Sequence, residues 1–100
     1  MVHVVAEIHV NDGARDAFLA EFRRLVPIVR NEVGCIEYGP TLDVSTDVSA
    51  AARPNIVTII EKWSSEDALR AHLKAPHMDE YRRRAGHLIS GVTIRVYSPA

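Results

Sequence analysis

The chain has a single cysteine, Cys35, so no disulfide can close within it, as expected of a reducing compartment. It lacks an excess of either charge: 12 Lys and Arg against 13 Asp and Glu leave a formal net charge of −1. That balance gives no reason to expect a nucleic-acid or anionic-membrane partner. No segment approaches the ~18 continuous apolar residues of a membrane-spanning helix. No basic-then-apolar leader precedes the first strand pattern, and cytoplasm is the expected location. Glycine-rich dinucleotide and phosphate-loop signatures, paired-cysteine and HExxH metal motifs and a nucleophile elbow are all missing.

What is present is an ordinary globular composition, 47% apolar and 25% charged, in a length that supports one domain over residues 1–100. Val2, Val4, Ala6, Ile8 and Val10 alternate with His3, Val5, Glu7 and His9, which is a strand. Asn11-Asp12-Gly13 turns the chain and offers a helix cap. From Arg15 to Val33, Phe18, Phe22, Leu25 and Val29 form one helical stripe, widened by Leu19, Val26 and Val33, with Pro27 expected to kink it or start a new turn and Gly34 to stop it. A second strand, Cys35 to Val44, contains Gly39-Pro40, which argues for an edge or a bulge. A polar loop precedes the third strand, Ile56 to Trp63. Ser64 is the expected cap of the next helix, which runs to about Ala75. Pro76 opens another from about His77 to Leu88, Gly91 ends it, and Val92 to Tyr97 is the last strand. The order is that of an α+β, ferredoxin-like split βαβ fold with an antiparallel sheet. With helices on one face, Val5, Thr58 and Ile60 would lie on the other, too apolar for open water, which predicts a homodimer.

Chemistry-bearing side chains gather around the third strand and the helices after it: Glu61, Trp63, His72, His77, Met78 and Tyr81, with Tyr38 able to face the same volume. Aromatic rings and imidazoles among apolar residues suit a flat phenolic ligand, which the rings stack on and the imidazoles deprotonate. Simpler structural roles compete: Trp63 and Tyr38 as core, Glu61 paired with a basic helix residue, His72 and His77 as ordinary helix residues, Cys35 as a small core residue. Glu61, His72 and His77 could meet as a two-His-one-carboxylate metal triad, but their spacing gives no specific support, and no metal is expected. The Arg82-Arg83-Arg84 run reads as a solvated helix face.

Glu61-Lys62-Trp63-Ser64-Ser65, then Ala68-Leu69, His72 and Pro76-His77-Met78, resemble the signature stretch of the antibiotic-biosynthesis-monooxygenase superfamily. Gly34-Cys35 and Tyr38 resemble its second strand; Val4 to Ile8 and Val26-Pro27 resemble its bacterial quinol monooxygenase branch. The resemblance spans essentially the whole chain. It implies a dimeric α/β barrel that oxidises quinols or other phenolic aromatics with O₂, without flavin, haem or metal. It implies His72 or His77 as base, Trp63 and Tyr38 as walls, and Arg82 or Glu61 as orienting groups, with Leu69, Met78 and Tyr81 completing the substrate site. Polyketide-tailoring members carry Asn and Tyr where this chain has Ile59 and Leu69, and haem-degrading members carry Asn and Trp where it has Glu7 and His72. The quinol branch therefore fits better. Two alternatives remain: a non-redox isomerase of the autoinducer-2-phosphate-processing type, which shares Glu61, His72 and Pro76-His77, and a non-catalytic dimer that binds small aromatics.

Overall fold

A computed structural model describes residues 1–100. The elements run β1 (Val2–Val10), α1 (Arg15–Arg30), β2 (Cys35–Leu42), β3 (Ile56–Trp63), α2 (Glu66–Leu73), α3 (Pro76–Ala85), a 3₁₀ turn (Gly86–Leu88) and β4 (Ile89–Tyr97). The four strands form one antiparallel sheet in the order β2-β3-β1-β4. This is the ferredoxin-like α+β arrangement expected from the element order. β2 is an edge strand, which is where Pro40, lacking an N–H, is tolerated.

The alternation in β1 is exact in burial: Val2, Val4, Ala6, Ile8 and Val10 are buried and the residues between are half-buried. Their face packs on α1, whose Phe18, Phe22, Leu25 and Val29 are each at most 4% exposed. Phe22 stacks on Tyr38 at 5.6 Å and meets Tyr81 edge-on at 5.7 Å, tying α1 to β2 and α3. Such ring pairs add about 0.5–1.5 kcal/mol beyond the area they bury.

Several expected boundaries move. α1 runs unbroken past Pro27 and ends at Arg30. Pro27 and Arg23 lie on the solvent side, so water can satisfy the Arg23 carbonyl that loses its helical donor. Val33 lies beyond the helix and is 93% exposed, not part of the stripe. The Asn11-Asp12 cap is not used; Ala14 holds the N-cap position without a side-chain bond. β2 stops at Leu42. The cap of α2 is Ser65, whose Oγ accepts from the Ala68 N–H at 3.1 Å, one residue after the expected Ser64. Helix α2 ends at Leu73 and α3 at Ala85, and Gly91 lies inside β4 beside a register shift at His9/Val10.

On the face of the sheet turned away from the helices, Val5 and Thr58 are half-buried and Ile60 is exposed. Arg53 from the β2–β3 connection crosses to Glu7 there, pairing at 2.9 Å while also bonding Asp43 at 2.7 Å. The larger exposed apolar row is on the helix-facing side of β4. Val92, Ile94 and Val96 register with Ile8, Ala6 and Val4 yet remain about half exposed, at 49%, 52% and 49%.

Candidate active site

The break between α2 and α3 assembles the site. His72 lies in the last turn of α2 and His77 in the first turn of α3, with the bend at Lys74-Ala75 between them. Pro76 starts α3 because its missing N–H is one that a first turn leaves unpaired anyway. The bend turns the two imidazoles toward one acceptor, Glu32, in the turn after α1. His72 Nδ1 and His77 Nε2 each lie 2.8 Å from Glu32 Oε2. With Glu32 ionised, both nitrogens donate to it, which leaves His72 Nε2 as a bare acceptor with no protein partner.

His72 is 1% exposed, packed between Trp63 (ring centroids 4.7 Å apart) and Tyr38 (5.3 Å). Burial lowers its basicity, opposed by the Glu32 hydrogen bond and charge. Trp63 is fully buried, and its indole N–H donates to Glu61 Oε1 at 2.9 Å. Glu61 therefore has no basic helix partner. Burial pushes its carboxyl upward, the indole bond pulls it back, and the Glu32 charge adds a smaller upward push. Burial also pushes the Tyr81 phenol up to about 12 and the Tyr38 phenol beyond that range.

A partly open cavity of about 260 Å³ lies between the sheet and the helices, with 11 of its 14 lining residues hydrophobic, Tyr38, Tyr81 and Met78 among them. Its three polar lining residues are Glu61, His72 and Arg82. The other candidates fall elsewhere. Trp63 stands behind His72 rather than on the wall, and Leu69 is buried in the core. His77 lines a separate surface groove with Glu21, Arg24, Glu80 and Arg84. One hollow bordered jointly by Trp63, His72 and His77 is therefore not what forms: His72 alone reaches the cavity, and the other two hold it from behind.

Glu32, not Glu61, is the carboxylate that joins the histidines; the three donor atoms lie within 4.8 Å of one another. Glu32 is not among the candidates the sequence pattern points to. One signal was available: an acid just past a helix C-terminus faces the negative end of the helix dipole, an unfavourable place unless it serves another group. Gly34, two residues on, has φ +85° and lies against Ser64 and Ala68, where a Cβ would come within 2.5 Å of the Ala68 Cβ. Its carbonyl accepts from the Ser64 N–H at 2.8 Å, which fixes the turn carrying Glu32. Arg82 donates to Asp79 and to the Leu73 carbonyl, both at 3.0 Å, while Arg83 and Arg84 pair with Glu80 on the surface.

Comparison with known proteins gives a consistent picture. The model of a family described as antibiotic biosynthesis monooxygenase matches residues 1–84. A protein of Escherichia coli K12 named "Probable quinol monooxygenase YgiN" is 36% identical, with 99% of this chain and 98% of that protein covered. Among solved structures, Rv0793 of Mycobacterium tuberculosis superimposes with a TM-score of 0.80 at 28% identity, covering 99% of this chain and 94% of that one. A conserved protein of Methanosarcina mazei gives 0.82 at 25%, covering 96% and 89%.

Proposed function

The chain belongs to the antibiotic biosynthesis monooxygenase family, and from that premise we propose that it oxidises a quinol or related phenolic aromatic with O₂ in the cavity beside His72. The observation that carries this reading is the His72–Glu32 pair at the wall of an apolar cavity. Glu32 holds the ring in the tautomer that presents Nε2 as an acceptor, and its charge stabilises the imidazolium that forms, the logic by which a carboxylate orients a catalytic histidine elsewhere. His72 is the base; His77 and Trp63 are positioning residues, the first anchoring Glu32 and the second packing against the imidazole.

The chemistry needs little more. A quinol hydroxyl gives its proton to His72 Nε2, and the electron-rich quinolate passes one electron to O₂. Recombination at a ring carbon and loss of water leave a hydroxyquinone, so that one quinol and one O₂ become one hydroxyquinone and one H₂O. The apolar lining limits water around the radical pair. Glu61, oriented by Trp63, accepts from the second hydroxyl, and Tyr38, Met78 and Tyr81 hold the ring. No flavin, haem or metal takes part in this scheme. A small phosphorylated substrate fits the cavity poorly: Arg82 is its one cationic lining residue and is already engaged by Asp79 and the Leu73 carbonyl.

The test is O₂ consumption by the purified protein with menadiol, measured against the autoxidation blank. Uptake well above the blank, with an oxygenated product by mass spectrometry, is expected; a rate equal to the blank overturns the reading.

The active form is a homodimer of a cytoplasmic protein, its contact built on the half-exposed row of β4. Two rows of Val92, Ile94 and Val96 facing each other would remove that surface from water and cover the mouth of the cavity, which Val92 and Ile94 line. Light scattering on the wild-type chain should give twice the 11.1 kDa chain mass. Val96→Glu, outside the cavity, should give a single chain mass with an unchanged circular dichroism spectrum. A monomeric wild type at micromolar concentration overturns this assignment.

A further inference from the structure

We propose that Glu32, His72 and His77 bind a divalent ion of the Zn²⁺ type, and that the bound ion switches off the base. The inhibitory half rests on the oxidation reading above; the binding half does not. Two imidazole nitrogens and one carboxylate oxygen, from the turn after α1, the end of α2 and the start of α3, form a donor set that suits a borderline divalent ion.

The distances are near what an ion requires. In a tetrahedral site with bonds of about 2.0–2.1 Å the donor atoms stand about 3.3 Å apart. Here the two oxygen-to-nitrogen separations are 2.8 Å and no pair of the three exceeds 4.8 Å. Glu32 must therefore retreat by about half an ångström and the two nitrogens close by at most about 1.5 Å to reach tetrahedral spacing. The pieces can move that far. The Glu32 and His77 side chains are 14% and 25% exposed and can adjust by rotation about their own bonds while the backbone stays in place. The groove beside His77 gives an ion a route from solvent that does not pass through the apolar cavity.

Proton accounting supplies the inhibition. A neutral imidazole that coordinates through Nδ1 carries its proton on Nε2. The ion at His72 Nδ1 thus moves that ring's proton onto the nitrogen that would otherwise accept from substrate. The charge of the cluster changes from −1 with neutral imidazoles to +1, and the base is lost without a steric block in the cavity.

The test is titration of the metal-free protein with Co²⁺, read by its visible absorption. One Co²⁺ per chain with the intense bands of a four-coordinate site is expected, displaced by Zn²⁺ and bound at least tenfold more weakly in both Glu32→Gln and His77→Asn. His77→Asn, at the more exposed of the two positions, keeps the measurement usable if Glu32→Gln does not fold. No bands at millimolar Co²⁺, or equal affinity in folded variants, overturns the site. In a second arm, saturating Zn²⁺ should lower menadiol-dependent O₂ uptake at least tenfold, and unchanged uptake at full occupancy overturns the switch. A chain that binds Co²⁺ yet never oxidises menadiol removes the oxidation reading and leaves the ion site standing. One that oxidises menadiol but binds no Co²⁺ does the reverse.

Discussion

On the proposed mechanism, His72→Gln is expected to lower menadiol-dependent O₂ uptake by about 10²- to 10⁴-fold, the range contributed by a positioned general base. Glutamine keeps a polar side chain that can donate to Glu32, so the loss reports the missing proton acceptor more than a collapsed wall. The companion measurement is binding of the oxidised quinone, by fluorescence quenching of Trp63, the only tryptophan. Quinone affinity should change only a few-fold while turnover falls by orders of magnitude. An uptake rate within threefold of wild type would remove His72 as base and leave Glu61 as the remaining ionisable acid on the cavity wall.

Phe22→Ala has the largest expected effect on stability, about 3–5 kcal/mol. The ring is 1% exposed and lies in contact with three others, stacking on Phe18 at 5.7 Å and Tyr38 at 5.6 Å and meeting Tyr81 edge-on at 5.7 Å. It also lines the cavity, so its removal enlarges an existing void rather than letting neighbours collapse into a new one. For a domain of this size that loss lowers the unfolding midpoint by at least about 12 °C. Urea denaturation should show a lower midpoint with an unchanged slope. A loss below about 1 kcal/mol would mean that the ring cluster does not act as one packed unit.

The elements that sequence made legible are those with strong periodicity. β1, with its period of two, and the Phe18-Phe22-Leu25-Val29 stripe leave little choice of structure, and the order of segments then fixes the sheet topology. Boundaries were less legible because they depend on which of two adjacent groups reaches a backbone N–H. Ser64 and Ser65 are chemically equal, and the structure uses Ser65. Pro27 sits inside an unbroken α1, and local rules cannot tell whether the carbonyl it orphans faces water or protein. The site was half legible. Tyr38, Glu61, His72, Met78, Tyr81 and Arg82 do share a cavity, and Trp63 does pack on His72. Glu32 was harder to see: it lies 40 residues from His72 in the chain, and its place just past the end of α1 marks it as unusual without naming the histidines it meets.

The two histidines look interchangeable on paper, five residues apart around one proline. Their surroundings give them opposite addresses. One faces a greasy interior where a bound molecule is its only new neighbour; the other faces a groove of acidic and guanidinium groups that samples the buffer. The carboxylate between them is thus a partition with a wet side and a dry side, so that a change at the solvent-facing ring has a path to the buried one without any solute entering the interior.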